Sequence, residues 1–522
     1  MKRFIIIICL AILSSAGFEA CTDLDENVYD KLPTDKFGVS EDQIDAIVAP
    51  AYLSLRNLLN YDGPWGAAEM TSDELVAPTR IGGDWWDGGQ YMEQCMHTWK
   101  PSSVSVENCW TDVMEAVTTV NSVYYLVSNS TAMSDELKLR YTSELRGLRA
   151  FWYYVIVDIF GNAPLTTDYL DTSLPGITSR ADLYNFVVSE LTEVLPNLRS
   201  DVTTSSYGKF TQGAAHMVLA KMYLNAEKWI GQANWQGVID ECNEIMKLDY
   251  VIEPDWQTNF DVHNEVSKEI ILAIPYRSAD DWGNVIHYWT LHYLDPEPLG
   301  FTADTWNGIC FQPDFVKKFD SEDPRLNYTC LIGPMIDPET NEVVKTAEGR
   351  DLNHTIDLNF IPGTEKTDAD GNPTIWGEVH QEDGARIQKW VYEKGMKNTC
   401  LENDIAIFRL ADVYLMKAEA LLRSGQDVAE ATRLVNVIRE RAYNDSDHDY
   451  TTVTLENIYD ERGFELSCEF VRRQDMIRFG TYCSPRSLKP TQTPAYKEIF
   501  PIPMQAWEKN NKLTQNPGYP SF

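Results

Sequence analysis

The sequence predicts a mainly α-helical protein: a core of helical hairpins with an irregular, loop-rich lobe inserted before the C-terminal helices. Three observations carry that prediction. Apolar residues from Asp404 to Ala442 hold one helical beat, six or more helical stretches accumulate before residue 250, and from about 250 to 400 the periodicity gives way to short β-like runs, prolines, glycines and aromatics. In the first of these, Ile407, Leu410, Ala411, Tyr414, Leu415, Ala418, Leu421 and Leu422 form one stripe at i, i+3, i+4, i+7 spacing. Gly425 supplies a stop, and Asp427 with Glu430 suits a reciprocal cap for a second helix carrying Val428, Ala431, Val435, Ile438 and Ala442. Small Ala418 and Ala431 allow the two axes to approach closely.

Taken in order, residues 1–20 read as an export signal. Lys2 and Arg3 precede an apolar run from Phe4 to Leu13, far short of the roughly 20 residues that span a bilayer. Ala20-Cys21 resembles the lipobox of bacterial lipoproteins, so Cys21 is the expected lipidation site and its lipid the expected attachment to the membrane. Asp23, Asp25 and Glu26 resemble the signal that sends such lipoproteins to the outer face of the outer membrane. The mature chain then divides into an N-terminal helical region, 21–230, and a C-terminal region, 250–522. The first holds helices at 41–60, 106–127, 135–160, 180–195 and 207–228, the 135–160 helix closed by Gly161-Asn162-Ala163-Pro164, and another helix follows at 234–248. Between 61 and 101 lies a long stretch rich in Gly, Trp, Asp and Thr, and a connection of that length is usually functional when ordered. The second region holds the irregular lobe at about 250–400, with a β-like run at Ile270–Ile274, then the hairpin and a charged helix (Leu455–Phe479) within 404–479, and a tail at 480–522. Leu219-Ala220-Lys221-Met222-Tyr223-Leu224 echoes Leu410-Ala411-Asp412-Val413-Tyr414-Leu415, and this reuse of a small residue before Tyr resembles a degenerate tetratricopeptide repeat.

Composition excludes several function classes. A formal charge of −35 repels phosphate backbones, and no basic patch offsets it, so nucleic acid is not an expected partner. No zinc-protease, nucleophile-elbow or phosphate-loop pattern is present. The acidic residues from Glu461 to Asp475 alternate with Arg462, Arg472 and Arg473, a pattern of structural ion pairing rather than of a catalytic acid pair. Asp368, Asp370 and Asn372 resemble a calcium loop, but Gly371 comes too early and the distal Glu is missing, so a β-turn is expected and no metal. Apart from Cys9 and Cys21 the cysteines are scattered singly. Cys242 reads as a small buried hydrophobe, and Cys95 with Cys109, Cys310 with Cys330, or Cys468 with Cys483 remain open as pairs.

Several segments, in their order, resemble the SusD/RagB family of outer-membrane glycan-binding lipoproteins. They are Leu148-Arg149-Ala150-Phe151 with Phe160-Gly161-Asn162-Ala163-Pro164-Leu165; Phe408-Arg409-Leu410-Ala411-Asp412 with Ala418-Glu419-Ala420 and Asn436-Val437-Ile438-Arg439; Glu461-Arg462, Glu465-Leu466, Glu469, Arg472 and Asp475-Met476-Ile477-Arg478; and Pro501-Ile502-Pro503 with Asn516-Pro517-Gly518-Tyr519. The departures are Gly463, where the family more often has Arg, and Phe470, where it often has Gly. In a helix, Gly463 costs about 1 kcal/mol relative to Ala. The resemblance implies a tetratricopeptide-like helical core and a cell-surface lid that captures oligosaccharide and delivers it to a TonB-dependent transporter, with neither catalysis nor cofactor.

A sugar site needs exposed aromatic faces for the C–H surfaces of the ring and planar polar groups for its hydroxyls. Two stretches have both. The first is Arg80 to Tyr91, with Arg80, Asp84, Trp85 and Trp86 set between the glycine pairs Gly82-Gly83 and Gly88-Gly89; the second is Asp280 to Trp306, with Trp282, Asn284, His287, Trp289, Tyr293 and Trp306. In an extended chain one of Trp85 and Trp86 would bury while the other faces out, and the sequence leaves open which. Two other classes predict different geometry: a surface glycoside hydrolase needs two carboxyls across a cleft, and a helical scaffold binding peptides needs aromatics along a concave groove.

Overall fold

Helices at Glu41–Leu53, Val104–Ser128, Asp135–Ile159, Arg180–Val194, Gln212–Ile230 and Trp235–Ile245 each pack on the next in the computed structural model, which describes residues 38–280, 283–367 and 373–522. The export signal, Cys21 with its acidic neighbours, Trp282 and the aspartates of the 368–372 turn lie outside the described residues. The chain leaves the helical array after Ile245 and rejoins it at Leu410–Arg423, which packs on Trp235–Ile245 and then on Val428–Tyr443. Residues 246 to 409 are therefore an insertion whose two ends stay together. An antiparallel pair, Ile270–Ile274 with Ile405–Arg409, joins them, and every residue in both strands is buried.

Helix starts follow from local chemistry. Ser40, Ser134, Ser179, Thr211, Asn234 and Thr454 each accept a first-turn amide through the side chain, a cap worth about 1 kcal/mol. Asp427 does the same for Glu430, but the return half of the expected reciprocal cap is absent: the Glu430 carboxylate goes to Arg433 and Lys417 instead.

Two expected helices differ in the structure. The first helix of the hairpin begins at Leu410, because the apolar run Ile405–Arg409 finds a strand partner in the distant Ile270–Ile274. The charged stretch from Leu455 to Phe479 is two helices, Leu455–Leu466 and Arg472–Phe479. Between them Cys468 and Phe470 both adopt φ of 64°, a left-handed backbone that glycine would take without strain. Both are held there by carboxylates, the Cys468 amide donating to Glu74 Oε2 at 2.9 Å and the Phe470 amide to Glu69 Oε1 at 2.7 Å. Gly463 has a positive reason to be small: a Cβ there would stand 3.0 Å from the Arg472 guanidinium and 3.2 Å from the Phe315 ring.

The ion pairing expected for the charged segment runs between elements more than along one helix. Arg409 meets Glu269, Glu465 and Glu469; Arg325 meets Asp323, Glu461 and Glu465; Arg462 meets Asp412 and Asp475. All are buried; the Arg409 and Arg325 sets tie the inserted lobe to the C-terminal helices, and the Arg462 set ties Leu410–Arg423 to Leu455–Leu466 and Arg472–Phe479. The two repeat units complement each other at matching positions. Lys221 of one and Asp412 of the other form a pair of 2.6 Å, each side chain only 3% exposed. Cys95, Cys109, Cys310, Cys330, Cys468 and Cys483 are all buried, and none of the three open pairings among them is a disulfide here.

Candidate functional site

The first candidate stretch is a tight glycine-rich turn. The Arg80 amide donates to the Asp84 carbonyl at 2.8 Å, and Gly82 and Gly83 take φ of 88° and 85° to allow it. Trp85 and Asp87 follow with positive φ, so the chain is not extended at the tryptophan pair. That left-handed step, rather than strand alternation, separates the two rings. Trp85 turns inward, 8% exposed, over Gly308, where a Cβ would come within 2.0 Å of the ring, and its indole N–H donates to the Trp306 carbonyl at 2.6 Å. Trp86 turns outward, 42% exposed, with the Lys366 ammonium 5.6 Å from its ring centre.

The second stretch is brought to the same face by contacts spanning more than 200 residues. Tyr293, 47% exposed, donates its hydroxyl to the Asp84 carboxylate, so burial and that neighbouring charge hold its proton well above the usual phenol range. Trp306 is half-buried, and its amide donates to the Tyr288 carbonyl at 2.6 Å, with the two rings 5.9 Å apart. Tyr61 closes the cluster at 5.8 Å from Trp85 and 6.4 Å from Trp306.

The remaining expected site residues are beneath this face, not on it. Arg80 is fully buried, its guanidinium donating to the carbonyls of Asn307, Gly308 and Asp383. Asn284 is buried, pairing through its backbone with Leu401 and through its amide with the Asn403 carbonyl. His287 is buried among Tyr288, Phe301 and Tyr392, and burial pushes its pKa down to about 3, which keeps it uncharged. Trp289 sits between Tyr61 and Trp65 at 5.3 and 5.5 Å. These four, with Trp85, lend the face rigidity and present no free surface of their own. Asp84, Trp86, Tyr293 and Trp306 form the accessible set. Sequence reasoning missed Tyr61, Tyr288 and Lys366. Tyr61 opens the long glycine- and tryptophan-rich stretch and Tyr288 lies inside the second candidate stretch, so both were within reach of it; Lys366 carried no local signal.

The carboxyls whose protons are held highest are elsewhere in the chain's interior. Burial raises Glu69 to about 7 and also holds Glu74 well above its usual range, and both are wholly enclosed, so neither can meet a polymer.

A model of the SusD family matches residues 268–493. The starch-binding protein SusD of Bacteroides thetaiotaomicron is 25% identical over 497 residues, covering 88% of this chain and 86% of its own length. SusD-like protein P25 of Formosa agariphila is 26% identical over 447 residues, 79% of each chain. Among solved structures, a laminarin binding SusD-like protein superposes with a TM-score of 0.71 at 22% identity, over 92% of this chain and 100% of its own. Surface glycan-binding protein A from Bacteroides thetaiotaomicron, in complex with laminarihexaose, gives 0.73 at 19% identity, over 91% and 99%. At such identities these superpositions speak to the fold: a helical array with a few short strands.

Proposed function

We propose that this chain is a SusD-family cell-surface lipoprotein that captures a polysaccharide on the face carrying Trp86, Tyr293 and Trp306 and delivers it to a TonB-dependent transporter. As a member of this family it is not an enzyme. The observation that carries the reading is the outward-facing aromatic set on a rigid base. Trp86 and Tyr293 expose apolar ring surface against which the C–H side of a sugar can stack, while Asp84 and Lys366 stand beside them for hydroxyl groups. Relatives named for starch and laminarin point to the same ligand class. Diacylation of Cys21 would hold the protein at the outer face of the outer membrane, with the soluble body free to meet glycan.

Titration of a soluble form beginning after Cys21 with a panel of polysaccharides, followed by tryptophan fluorescence, tests this. Saturable quenching with no new reducing ends is the expected result. Release of reducing ends would overturn the capture reading in favour of a hydrolase, and binding that survives Trp86→Ala with Tyr293→Ala would remove this face from it.

A further inference from the structure

We infer that the sugar path continues past Tyr293 into a second subsite, a groove that takes uncharged residues of the same glycan chain; the inference rests on the capture reading above. Beside the aromatic face lies an open groove of about 590 Å³, and ligand clefts run from roughly 300 to 1,000 Å³. Tyr293 belongs to both: it lines the groove, and its hydroxyl is fixed to Asp84 on the aromatic side. A ligand lying on Tyr293 therefore has an opening on either hand.

The groove is built rather than incidental. Its floor is Phe301 and Met396, both buried, and a ladder of backbone bonds locks their two segments: Gly395 amide to Gly300 carbonyl at 2.7 Å, Thr302 to Met396 at 2.8 Å, Asn398 to Thr302 at 2.7 Å. Gly300 carries φ of 88° at the bend where the helix before it ends. Exposed Leu294 adds apolar surface at the rim. Glu297 and Lys397 also reach the rim, and neither makes an ion pair among the described residues, so one acceptor and one donor stand free. A hydroxyl can satisfy both, and with Asp337 also lining the groove two carboxylates face one ammonium, so an anionic sugar meets a net like charge. The chain's formal charge of −35 weighs further against polyanions.

The probe is a length series of laminari- and malto-oligosaccharides, from disaccharide to heptasaccharide, with laminarin, starch and the polyuronate alginate, measured by calorimetry against wild type, Ala303→Trp, Glu297→Ala/Lys397→Ala and Trp86→Ala. Ala303 lines the groove and is half-buried, so a tryptophan there fills it; unfolding curves report its folding, and the rim double variant gives an independent reading should that substitution misfold. The expected result is that Ala303→Trp binds the shortest ligands as wild type does but loses about tenfold on the longest, and the rim variant loses a few-fold on the same ligands. If both groove variants match wild type at every length while Trp86→Ala weakens them all, the second subsite is wrong and the capture face stands. If Trp86→Ala is silent as well, or wild type ignores every neutral glycan, the capture reading falls and takes this inference with it. Alginate competing as well as the neutral polymers overturns the uncharged assignment.

Discussion

In the interior around Arg409 and on the face around Trp86, the same kinds of side chain meet opposite conditions. Arg409, Arg325 and Arg462 are enclosed, and each guanidinium is met by two or more carboxylates from other elements. At the surface, Trp86 has one lysine over its ring, and Tyr293 has one carboxylate on its hydroxyl while nearly half of the residue stays open. The lesson is that residue type does not decide between scaffold and site; what decides is whether the chain itself supplies every partner. Arg80 and Trp85 mark the boundary, since both lie directly under the face and have their polar atoms satisfied by carbonyls.

The comparison is tested most severely by Arg409→Ala. Three carboxylates, Glu269, Glu465 and Glu469, would lose their shared cation in a dry interior, a loss on the order of 3–5 kcal/mol that thermal unfolding should report as a large fall in Tm or a failure to fold. A variant as stable as wild type would show that the interior is solvated after all.

The next effect is a pH dependence. Glu69 keeps its proton to about 7 against an ordinary 4.5, because burial penalises the charged form, and burial together with the neighbouring Glu69 charge raises Glu74 well above its ordinary value too. The unfolded chain releases these protons near 4.5, so between that value and 7 the folded state holds more protons, and stability falls as pH rises through the window. Glu69→Gln keeps an uncharged side chain of similar shape and should remove a slope worth on the order of 2–3 kcal/mol, raising Tm relative to wild type at pH 8 but not at pH 4. Glu465 runs the other way. Although burial pushes it up, Arg441 and Arg409 hold it down to about 2, so its contribution is present above 4.5 and disappears as pH falls through about 2.

On the exposed side, Trp86→Ala should cost about 2 kcal/mol in glycan binding, some thirtyfold, with Tm unchanged. Trp85→Ala should do the reverse, lowering Tm through the cavity it leaves over Gly308. Calorimetry and unfolding on the pair separate the two roles, and a Tm drop for Trp86→Ala would show that the ring is packing. The smallest expected effect is at Gly463. In an open helix, alanine there would gain about 1 kcal/mol. Here the new Cβ presses on Arg472 and Phe315, so the net change in unfolding free energy should be near zero or negative, and the full gain would mean that Arg472 is loosely held.

Helix placement was legible in the sequence to within a few residues, as at Val104–Ser128, Asp135–Ile159 and Arg180–Val194, because apolar periodicity and capping residues act over one or two turns. So were the loop-rich insertion and the two stretches that hold the aromatic face, which local composition marks. The strand at Ile405–Arg409 and the left-handed break at Cys468 and Phe470 were not legible: the first needs a partner strand at Ile270–Ile274 and the second needs Glu69 and Glu74, hundreds of residues away. Nor could the sequence say that Trp86 would face water while Trp85, Arg80, Asn284, His287 and Trp289 would be covered. Burial is a property of what packs on top: Asn307, Gly308, Asp383 and Asn403 cover Arg80, Trp85 and Asn284, while Phe301 and Tyr392 cover His287 and Tyr61 and Trp65 cover Trp289, and only the folded chain brings these near. Periodicity and composition by themselves determined the helical array and the two aromatic stretches. Tertiary contact alone decided which of their rings were left open to a ligand, because exposure depends on distant neighbours that no local pattern records.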